Sequence, residues 1–196
     1  MKLVILDRDG VINLDRPDFV KSADECVPIE GSIEAIARLS QAGFTVVIAT
    51  NQSGLARGKF DLDDLEAMHE KITRLVEEQG GEISAIFYCP HAPEDLCKCR
   101  KPKPGLIDAI EAEFNTSAES VPLIGDTLRD LQTAASKGCL PFLVRTGNGL
   151  KTLEDLQYPD SDSTDDFPGL TLEQVQVFDD LAAAADFLIN TTGEKV

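Results

Sequence analysis

Two short motifs place pairs of aspartates where they could bind a metal ion. Asp7 and Asp9 stand on either side of Arg8 in LDRDG, and Asp126 and Asp130 are four residues apart in GDTLRD. Alternate residues of an extended chain share a face, and residues four apart share one side of a helix. Each pair can therefore point into one pocket. Because crowded carboxylates need a cation, and because Mg²⁺ prefers oxygen ligands, the motifs predict a magnesium site.

A second set of residues has the composition of a zinc site. Within the stretch CPHAPEDLCKCRKPKPG, the loop 89–99 contains Cys89, His91, Cys97 and Cys99. Three thiolates and one imidazole complete a tetrahedral set with no open position, which predicts a structural zinc ion rather than a catalytic one. The alternative is that these are four unrelated residues in a turn. The clustering of the five cysteines favours metal binding in a reducing cytoplasm over disulfides.

Positive charge follows the cysteines at once, as Arg100, Lys101 and Lys103. The chain as a whole is acidic, with a formal net charge of −17 over 196 residues. This charge argues against nucleic acid or an anionic membrane as a partner, since both need basic surfaces. A small anion can still bind where a few basic residues converge. We expect zinc to fold the loop so that Arg100 and Lys101 point toward such an anion.

The elements that position these residues follow an alternating pattern of apolar runs and helices, which is typical of a parallel sheet covered by helices. Strands are predicted at 3–6, 44–49, 83–88, 121–124, 140–144 and 175–178. Helices are predicted over 32–41, after the capping residue Asp61, over 105–114, through Leu128 and Leu131, and in the alanine-rich C-terminal region. We predict an α/β fold in one domain over 1–196, a Rossmann-like three-layer sandwich with a central, mainly parallel sheet.

Two further features complete the predicted organisation. The polar segment 159–169 is rich in aspartate but lacks the glycine of a calcium-binding loop, so we interpret it as a mobile, solvated loop. Cys26 and Cys139 lie outside the two motif regions and are expected to be packing residues. His69, on the apolar stripe of the helix after Asp61, is expected to be either a packing or a half-exposed histidine.

Most candidate functional residues directly follow a predicted strand. These are Asp7 and Asp9, Thr50 and Asn51, and Asp126 and Asp130, with Lys101 in the loop after the third strand. In open α/β sheets the carboxyl ends of the strands form the ligand crevice. We therefore expect all of these side chains in one neighbourhood.

In these ordered motifs the chain resembles the haloacid dehalogenase superfamily of phosphotransferases. The resemblance implies that Asp7 is the nucleophile and forms an aspartyl-phosphate, and that Asp9 is the general acid and base, a role that calls for a raised pKa. It implies Mg²⁺ held by Asp7, the main-chain carbonyl of Asp9 and Asp126. Thr50 and Lys101 would bind the phosphoryl oxygens. Asp130 would hold Lys101 or a metal-bound water.

Within that superfamily, TNQSGLARG together with the cysteine-histidine loop and CRKPKPG resembles the heptose bisphosphate phosphatases. Histidinol-phosphate phosphatases share much of this pattern. The resemblance implies an enzyme that removes the C7 phosphate of D-glycero-D-manno-heptose 1,7-bisphosphate during synthesis of lipopolysaccharide precursors. No large insertion separates the first three predicted strands, so we expect no cap domain, and we expect a cytoplasmic monomer. Some members carry a basic residue where this chain has Thr127.

Short loops at 13–20, 51–59 and 89–103 would select the substrate. The candidate substrate-binding residues are Asp15, Arg16, Asp18, Asn51, Gln52, Ser53, Arg57 and Arg100. The basic residues of these loops exceed what one transferring phosphate needs, which predicts a sugar bisphosphate as the small-molecule substrate. Two alternatives stay open. One is a histidinol-phosphate phosphatase, and the other is a zinc-organised binding module with an idle phosphatase site.

Overall fold

The computed structural model of the protein describes residues 1–158 and 170–193. The predicted loop at 159–169 therefore lies outside the described residues. The six strands of the described chain are β1 (Lys2–Leu6), β2 (Phe44–Asn51), β3 (Ala85–Cys89), β4 (Pro122–Gly125), β5 (Leu140–Val144) and β6 (Gln176–Phe178). They form one sheet in the order β3-β2-β1-β4-β5-β6, and every pairing is parallel.

Helices cover the sheet on both faces. Their bounds are α1 (Ser32–Gln41), α2 (Leu62–Glu78), α3 (Gly105–Phe114), α4 (Leu128–Ser136), α5 (Gly149–Gln157) and α6 (Leu181–Gly193). Because side chains alternate along a strand, Val4 and Leu6 of β1 pack with α1, α2 and α6. Leu3 and Ile5 face the other way and pack against α3. The predicted α/β three-layer sandwich is confirmed.

The strand order creates a crevice next to β1. The chain leaves β1 for β2 and β3 on one side and then crosses to β4 on the other, so connections diverge between β1 and β4. Such a switch point is where ligands bind in open α/β sheets. Between Leu6 and Ser32 the structure has no helix or strand, and between Cys89 and Gly105 it has only a 3-10 turn. No cap domain covers the crevice from these connections.

The strands β1, β4 and β6 differ from their predicted ranges by one residue at one or both ends, and the larger differences concern β2, β3 and α5. β2 continues through Thr50 to Asn51, because both residues pair with β3. β3 starts and ends later than predicted, at Ala85 and Cys89. Helix α5 was not predicted, since its sequence GLKTLEDLQ is short and buries only Gly149 and Thr152 fully.

The two cysteines outside the cysteine-histidine loop belong to the core. Cys26 and Cys139 are buried in the two halves of the core, as predicted for packing residues. In the part of the chain that the structure describes, no helix is both long and apolar enough to cross a membrane.

Helix α2 begins with a reciprocal capping box. The Asp61 carboxylate accepts a hydrogen bond from Asp64 N at 3.0 Å, and Asp64 returns the interaction to Asp61 N at 3.1 Å. The cap satisfies main-chain donors that the helix itself leaves free.

We expect Asp61→Ala to lower the free energy of unfolding by about 1 kcal/mol, because it removes the cap. For a chain of this size that corresponds to a fall in Tm of roughly 2–4 °C, measurable by calorimetry. Asp61→Asn is the matched control and should retain most of the stability, since asparagine also caps helices. Equal losses in both variants would contradict the assignment.

Candidate active site

The carboxyl ends of β1 and β4 bring three aspartates together. Asp7 N donates a hydrogen bond to Ile124 O at 2.8 Å, which aligns the chain leaving β1 with the end of β4. Asp7, Asp126 and Asp130 are buried, and each offers a carboxylate oxygen within 4.8 Å of the others. Like charges this close repel each other, so the cluster requires positive charge.

Asp126 has the environment expected of a cation ligand. Its Oδ2 accepts hydrogen bonds from Asn148 N at 2.8 Å and Nδ2 at 3.2 Å, while its buried Oδ1 has no hydrogen-bond partner among the described residues. Burial raises the pKa of Asp126 to about 8, with further contributions from the charges of Asp7 and Asp130. A bound cation would reverse this effect. The set of hard carboxylate oxygens suits Mg²⁺.

Two glycines let the loops approach Asp126 closely. Gly10 and Gly147 both have positive φ, at 84° and 58°, a region that side chains disfavour. At either position a Cβ atom would overlap the Asp126 carboxylate. Thr146 Oγ1 also donates to Gly10 O at 2.7 Å, which joins the loop after β5 to the loop after β1.

Lys101 supplies positive charge to the cluster from inside the protein. Its ammonium is buried, 2.9 Å from Asp7 Oδ1 and 2.5 Å from Asp130 Oδ1, and it donates to Ala49 O at 2.8 Å. Burial alone would lower the pKa of Lys101, but the charges of the two carboxylates outweigh it and raise the pKa. Burial raises the pKa of Asp7 to about 6, because the opposing effect of Lys101 offsets only part of it.

The main chain of Lys101 is held by the end of β2. Asn51 Nδ2 donates to Lys101 O at 3.1 Å, and Lys101 N donates to Asn51 Oδ1 at 3.0 Å. Asp130 is fixed separately by the start of α4, where Thr127 N and Oγ1 both donate to Asp130 Oδ2. Both partners of the ion pair are therefore positioned by other contacts.

Asp9 has a different environment from Asp7. Its carboxylate accepts hydrogen bonds from Arg8, Asn13 Nδ2 at 2.8 Å and Gln52 Nε2 at 2.9 Å. Burial would raise the pKa of Asp9, but the charge of Arg8 and these hydrogen bonds lower it below its usual value. The expectation of a raised pKa for Asp9 is therefore wrong. The buried guanidinium of Arg8 is the physical reason.

Gln52 connects Asp9 with the end of β2. Its Nε2 also donates to Thr50 Oγ1 at 2.9 Å, and its Oε1 accepts from Arg8 Nη2 at 3.1 Å. Arg8 in turn approaches His69 Nε2 at 3.4 Å. Burial lowers the pKa of His69 to about 4, and the Arg8 charge acts in the same direction, so the imidazole is neutral at neutral pH.

The cysteine-histidine loop gathers its four side chains at one point. Cys89, His91, Cys97 and Cys99 form a cluster of metal-ligand atoms. The Sγ of Cys99 lies 3.2 Å from that of Cys89 and 3.3 Å from His91 Nδ1. Arg100 N points at Cys97 Sγ at 3.4 Å. These ligands could hold a metal ion, and three thiolates with one imidazole suit zinc.

The loop and the carboxylate cluster lie at the same edge of the sheet. Cys89, the first ligand, ends β3 and pairs with Asn51 of β2. Arg100 and Lys101 directly follow the last ligand. The loop closes on itself where Gly105 N donates to Lys98 O at 3.1 Å, at a point where a Cβ on Gly105 would overlap the main chain of Lys98.

A cavity of about 230 Å³ opens over the cluster. Twelve of the predicted site residues line it: Asp7, Asp9, Asp15, Arg16, Thr50, Asn51, Gln52, Ser53, Arg100, Lys101, Asp126 and Asp130. Among them are the residues expected at the carboxyl ends of the strands, which therefore lie around one cavity.

Two predicted substrate-binding residues do not line the cavity. Asp18 forms ion pairs with Lys21 at 2.9 Å and Lys59 at 3.0 Å. Arg57 pairs with Glu94 at 3.1 Å and is largely exposed. Neither side chain lines the cavity, so the substrate-binding roles of Asp18 and Arg57 stay predictions.

Four polar residues of the site were missing from the prediction: Arg8, Asn13, Asn148 and Arg129. Arg8 and Asn13 bind Asp9, Asn148 binds Asp126, and Arg129 lines the cavity beside Thr127. Arg129 lies within the GDTLRD motif, and its position could have been found from the motif. Asn148 follows β5 in a region where the apolar pattern fades, so the sequence offered no comparable signal.

Comparisons with known proteins agree with this geometry. A family model described as polynucleotide kinase 3 phosphatase matches residues 5–137. The D-glycero-beta-D-manno-heptose-1,7-bisphosphate 7-phosphatase of Bordetella bronchiseptica is 51% identical over 189 residues, covering 96% of this chain and 98% of the relative.

Solved structures give the same result. The crystal structure of D,D-heptose 1,7-bisphosphate phosphatase from B. bronchiseptica complexed with magnesium and phosphate has a TM-score of 0.87 at 51% identity, covering 97% of this chain and 99% of that one. A Had-superfamily hydrolase from Ehrlichia chaffeensis, 18% identical, shares the fold with a TM-score of 0.54 and covers 85% of this chain and 60% of that one. The chain belongs to the D-glycero-beta-D-manno-heptose-1,7-bisphosphate 7-phosphatase family of the haloacid dehalogenase superfamily.

Proposed function

We propose that the protein is a magnesium-dependent phosphatase that hydrolyses the C7 phosphate of D-glycero-D-manno-heptose 1,7-bisphosphate and retains the C1 phosphate. The observation that carries this proposal is the buried cluster of Asp7, Asp126 and Asp130 with Lys101 at the switch point of the sheet. The relative from B. bronchiseptica, crystallised with magnesium and phosphate, supports it.

Asp7 is the nucleophile in this proposal. Its carboxylate attacks phosphorus, and the bond from phosphorus to the C7 oxygen of the sugar breaks, leaving an aspartyl-phosphate. Lys101, at 2.9 Å from Asp7, and Thr50, at the end of β2, then face the phosphoryl oxygens and stabilise their charge. Water hydrolyses the intermediate and restores the carboxylate.

Asp9 is the acid and base in this proposal. In the first step the protonated form of Asp9 gives its proton to the departing sugar oxygen, and in the second step the resulting carboxylate accepts a proton from the attacking water. The lowered pKa of Asp9 favours the carboxylate that the second step requires. Arg8, Asn13 and Gln52 hold the carboxylate in one orientation for both tasks.

Asp7, the Asp9 carbonyl and Asp126 would hold Mg²⁺. The ion, when bound, neutralises charge on the phosphoryl oxygens and reduces their repulsion of Asp7. Asp130 is engaged with Lys101 at 2.5 Å, so its role is to hold that ammonium.

Zinc would have a structural role in the loop at Cys89, His91, Cys97 and Cys99. Arg100 and Lys101 follow Cys99 directly, so ordering the loop also orders the two cations. In this proposal zinc positions the phosphate-binding groups and takes no part in the reaction.

We further propose that the enzyme works in the cytoplasm as a single-domain monomer, in the synthesis of heptose nucleotides for lipopolysaccharide.

Turnover of a panel of phosphate esters with Mg²⁺ tests the proposed substrate. We expect the heptose 1,7-bisphosphate to give a higher kcat/KM than histidinol phosphate, because three arginines line the cavity. Phosphate release measured under identical conditions decides the question. Preference for histidinol phosphate would establish the alternative enzyme, and no turnover of any ester would favour a binding module.

We expect Asp7→Asn to reduce kcat on the order of 10⁴-fold or more, since a neutral amide cannot attack phosphorus. Circular dichroism and zinc content should remain those of the wild type. Asp63→Asn, which changes an exposed acid in the first turn of α2, is the matched control and should keep full activity. Acid-quenched wild-type protein should carry labelled phosphate on Asp7, and labelling elsewhere would refute the mechanism.

Removing zinc should reduce activity by loosening the loop after Cys89. Cys97→Ala should lower the bound zinc, measured by mass spectrometry, and should make the loop sensitive to protease. Cys139→Ala changes a buried cysteine outside the cluster and is the control for thiol loss. A zinc-free variant with a protected loop and full activity would refute the positioning role.

A further inference from the structure

The arginines of this protein divide into two groups by their partners. Five of them form ion pairs with carboxylates: Arg8, Arg38, Arg57, Arg74 and Arg145. The other three, Arg16, Arg100 and Arg129, have no carboxylate partner among the described residues, and all three line the cavity. Acids outnumber bases by 35 to 18, so unpaired arginines gathered at one cavity point to an anion that binds there.

Arg100 and Arg129 form one wall of the cavity. The half-buried guanidinium of Arg100 has its pKa lowered by burial first and by the charge of Arg129 second, so the two cations are close enough to repel. Both also line a neighbouring groove of about 310 Å³ between Leu96 and Pro102. Within residues 1–158 and 170–193, the one hydrogen bond of the Arg100 side chain goes from Nη1 to the main-chain oxygen of His91, at 3.4 Å.

Arg129 has an unfavourable position for a cation. It lies in the first turn of α4, where the helix dipole disfavours positive charge. No hydrogen bond of its side chain is found in the described structure. Neither the helix dipole nor a neighbouring carboxylate stabilises the charge of Arg129 in the described structure. A bound anion would stabilise this charge and would explain its position.

The acids of the cavity do not neutralise this wall. Asp7 and Asp130 contact Lys101, and Asp9 contacts Arg8. Asp15 is engaged on both oxygens, with Oδ2 accepting from Asn148 Nδ2 at 3.1 Å and Oδ1 from Arg16 N at 2.8 Å. Asp126 contacts Asn148. None of these acids forms an ion pair with Arg100 or Arg129 in the described structure, so the two guanidinium groups line the cavity with unpaired positive charge.

We infer that Arg129 determines specificity by binding, together with Arg100, the phosphate that the reaction retains. This inference rests on the proposed function, because it assigns the second phosphate of the sugar bisphosphate to a place in the same cavity. Two guanidinium groups present paired donors that match phosphate oxygens. Arg129 does not touch the reacting phosphorus and is expected to act on substrate binding.

Kinetics on a matched pair of substrates test the inference. We expect Arg129→Gln to raise KM for the heptose 1,7-bisphosphate about tenfold, the effect of losing one charge-assisted contact, with kcat little changed. For the heptose 7-phosphate, which lacks the retained phosphate, KM should not change. Arg129→Lys should recover part of the loss, because it restores the charge without the paired donors.

Arg38→Gln is the matched control, since it removes one positive charge from a distant ion pair with Asp186 and should leave both substrates unaffected. Equal effects of Arg129→Gln on both substrates, or no effect on either, would overturn the inference. A wild type that does not distinguish the bisphosphate from the monophosphate would also overturn it, whereas a wild type that does not hydrolyse the bisphosphate at all would refute the proposed function instead. The two failures are therefore separable.

Discussion

The ammonium group of Lys101 lies between the carboxylates of Asp7 and Asp130, and the rest of the site depends on this contact. A buried lysine is stable only when opposite charges compensate its lost hydration, and buried acids have the same requirement. The two ion pairs of Lys101 therefore explain why Asp7, Asp126 and Asp130 can lie together in one crevice. Lys101 reaches the crevice because Asn51 holds its main chain and because the cysteine-histidine loop ends just before it.

The two aspartates of the first motif show how one short segment produces two chemical characters. Asp7 faces the acidic cluster, and burial raises its pKa to about 6. Asp9, two residues later, contacts the buried Arg8, and its pKa is lowered. Environments that move neighbouring pKa values apart are a common way to assign distinct roles to equivalent groups. Here the separating element is Arg8, the residue between them.

Much of the site could be predicted from the sequence because its residues lie in local motifs at strand ends. Asp7, Thr50 and Asp126 follow apolar runs that form adjacent parallel strands, so their convergence follows from sheet geometry. The class of fold follows from the same alternation of apolar runs and helices.

The remainder depended on contacts that the sequence does not encode locally. Asn148 meets Asp126 across 22 positions, through a loop that two glycines allow to approach. Arg57 and Asp18, two of the predicted substrate-binding residues, form ion pairs with Glu94 and Lys59 on neighbouring loops, and these pairs could not be read from the sequence. Arg8 was not predicted as a site residue. Its effect on Asp9 depends on the burial of its side chain, which the spacing of residues in the sequence does not reveal.

The absence of an inserted domain over the crevice, in the described connections from β1 to α1 and from β3 to α3, has a consequence for selectivity. Many enzymes exclude wrong substrates through the closing motion of a lid, which adds shape to recognition. Without such a lid, selection would depend on the side chains that line the open crevice, four of which carry positive charge: Arg16, Arg100, Lys101 and Arg129. Dissolved salt screens the electrostatic attraction between exposed charges and a substrate, whereas it hardly affects the steric fit between them. The discrimination of this protein between rival esters is therefore tied to the ionic strength of its surroundings.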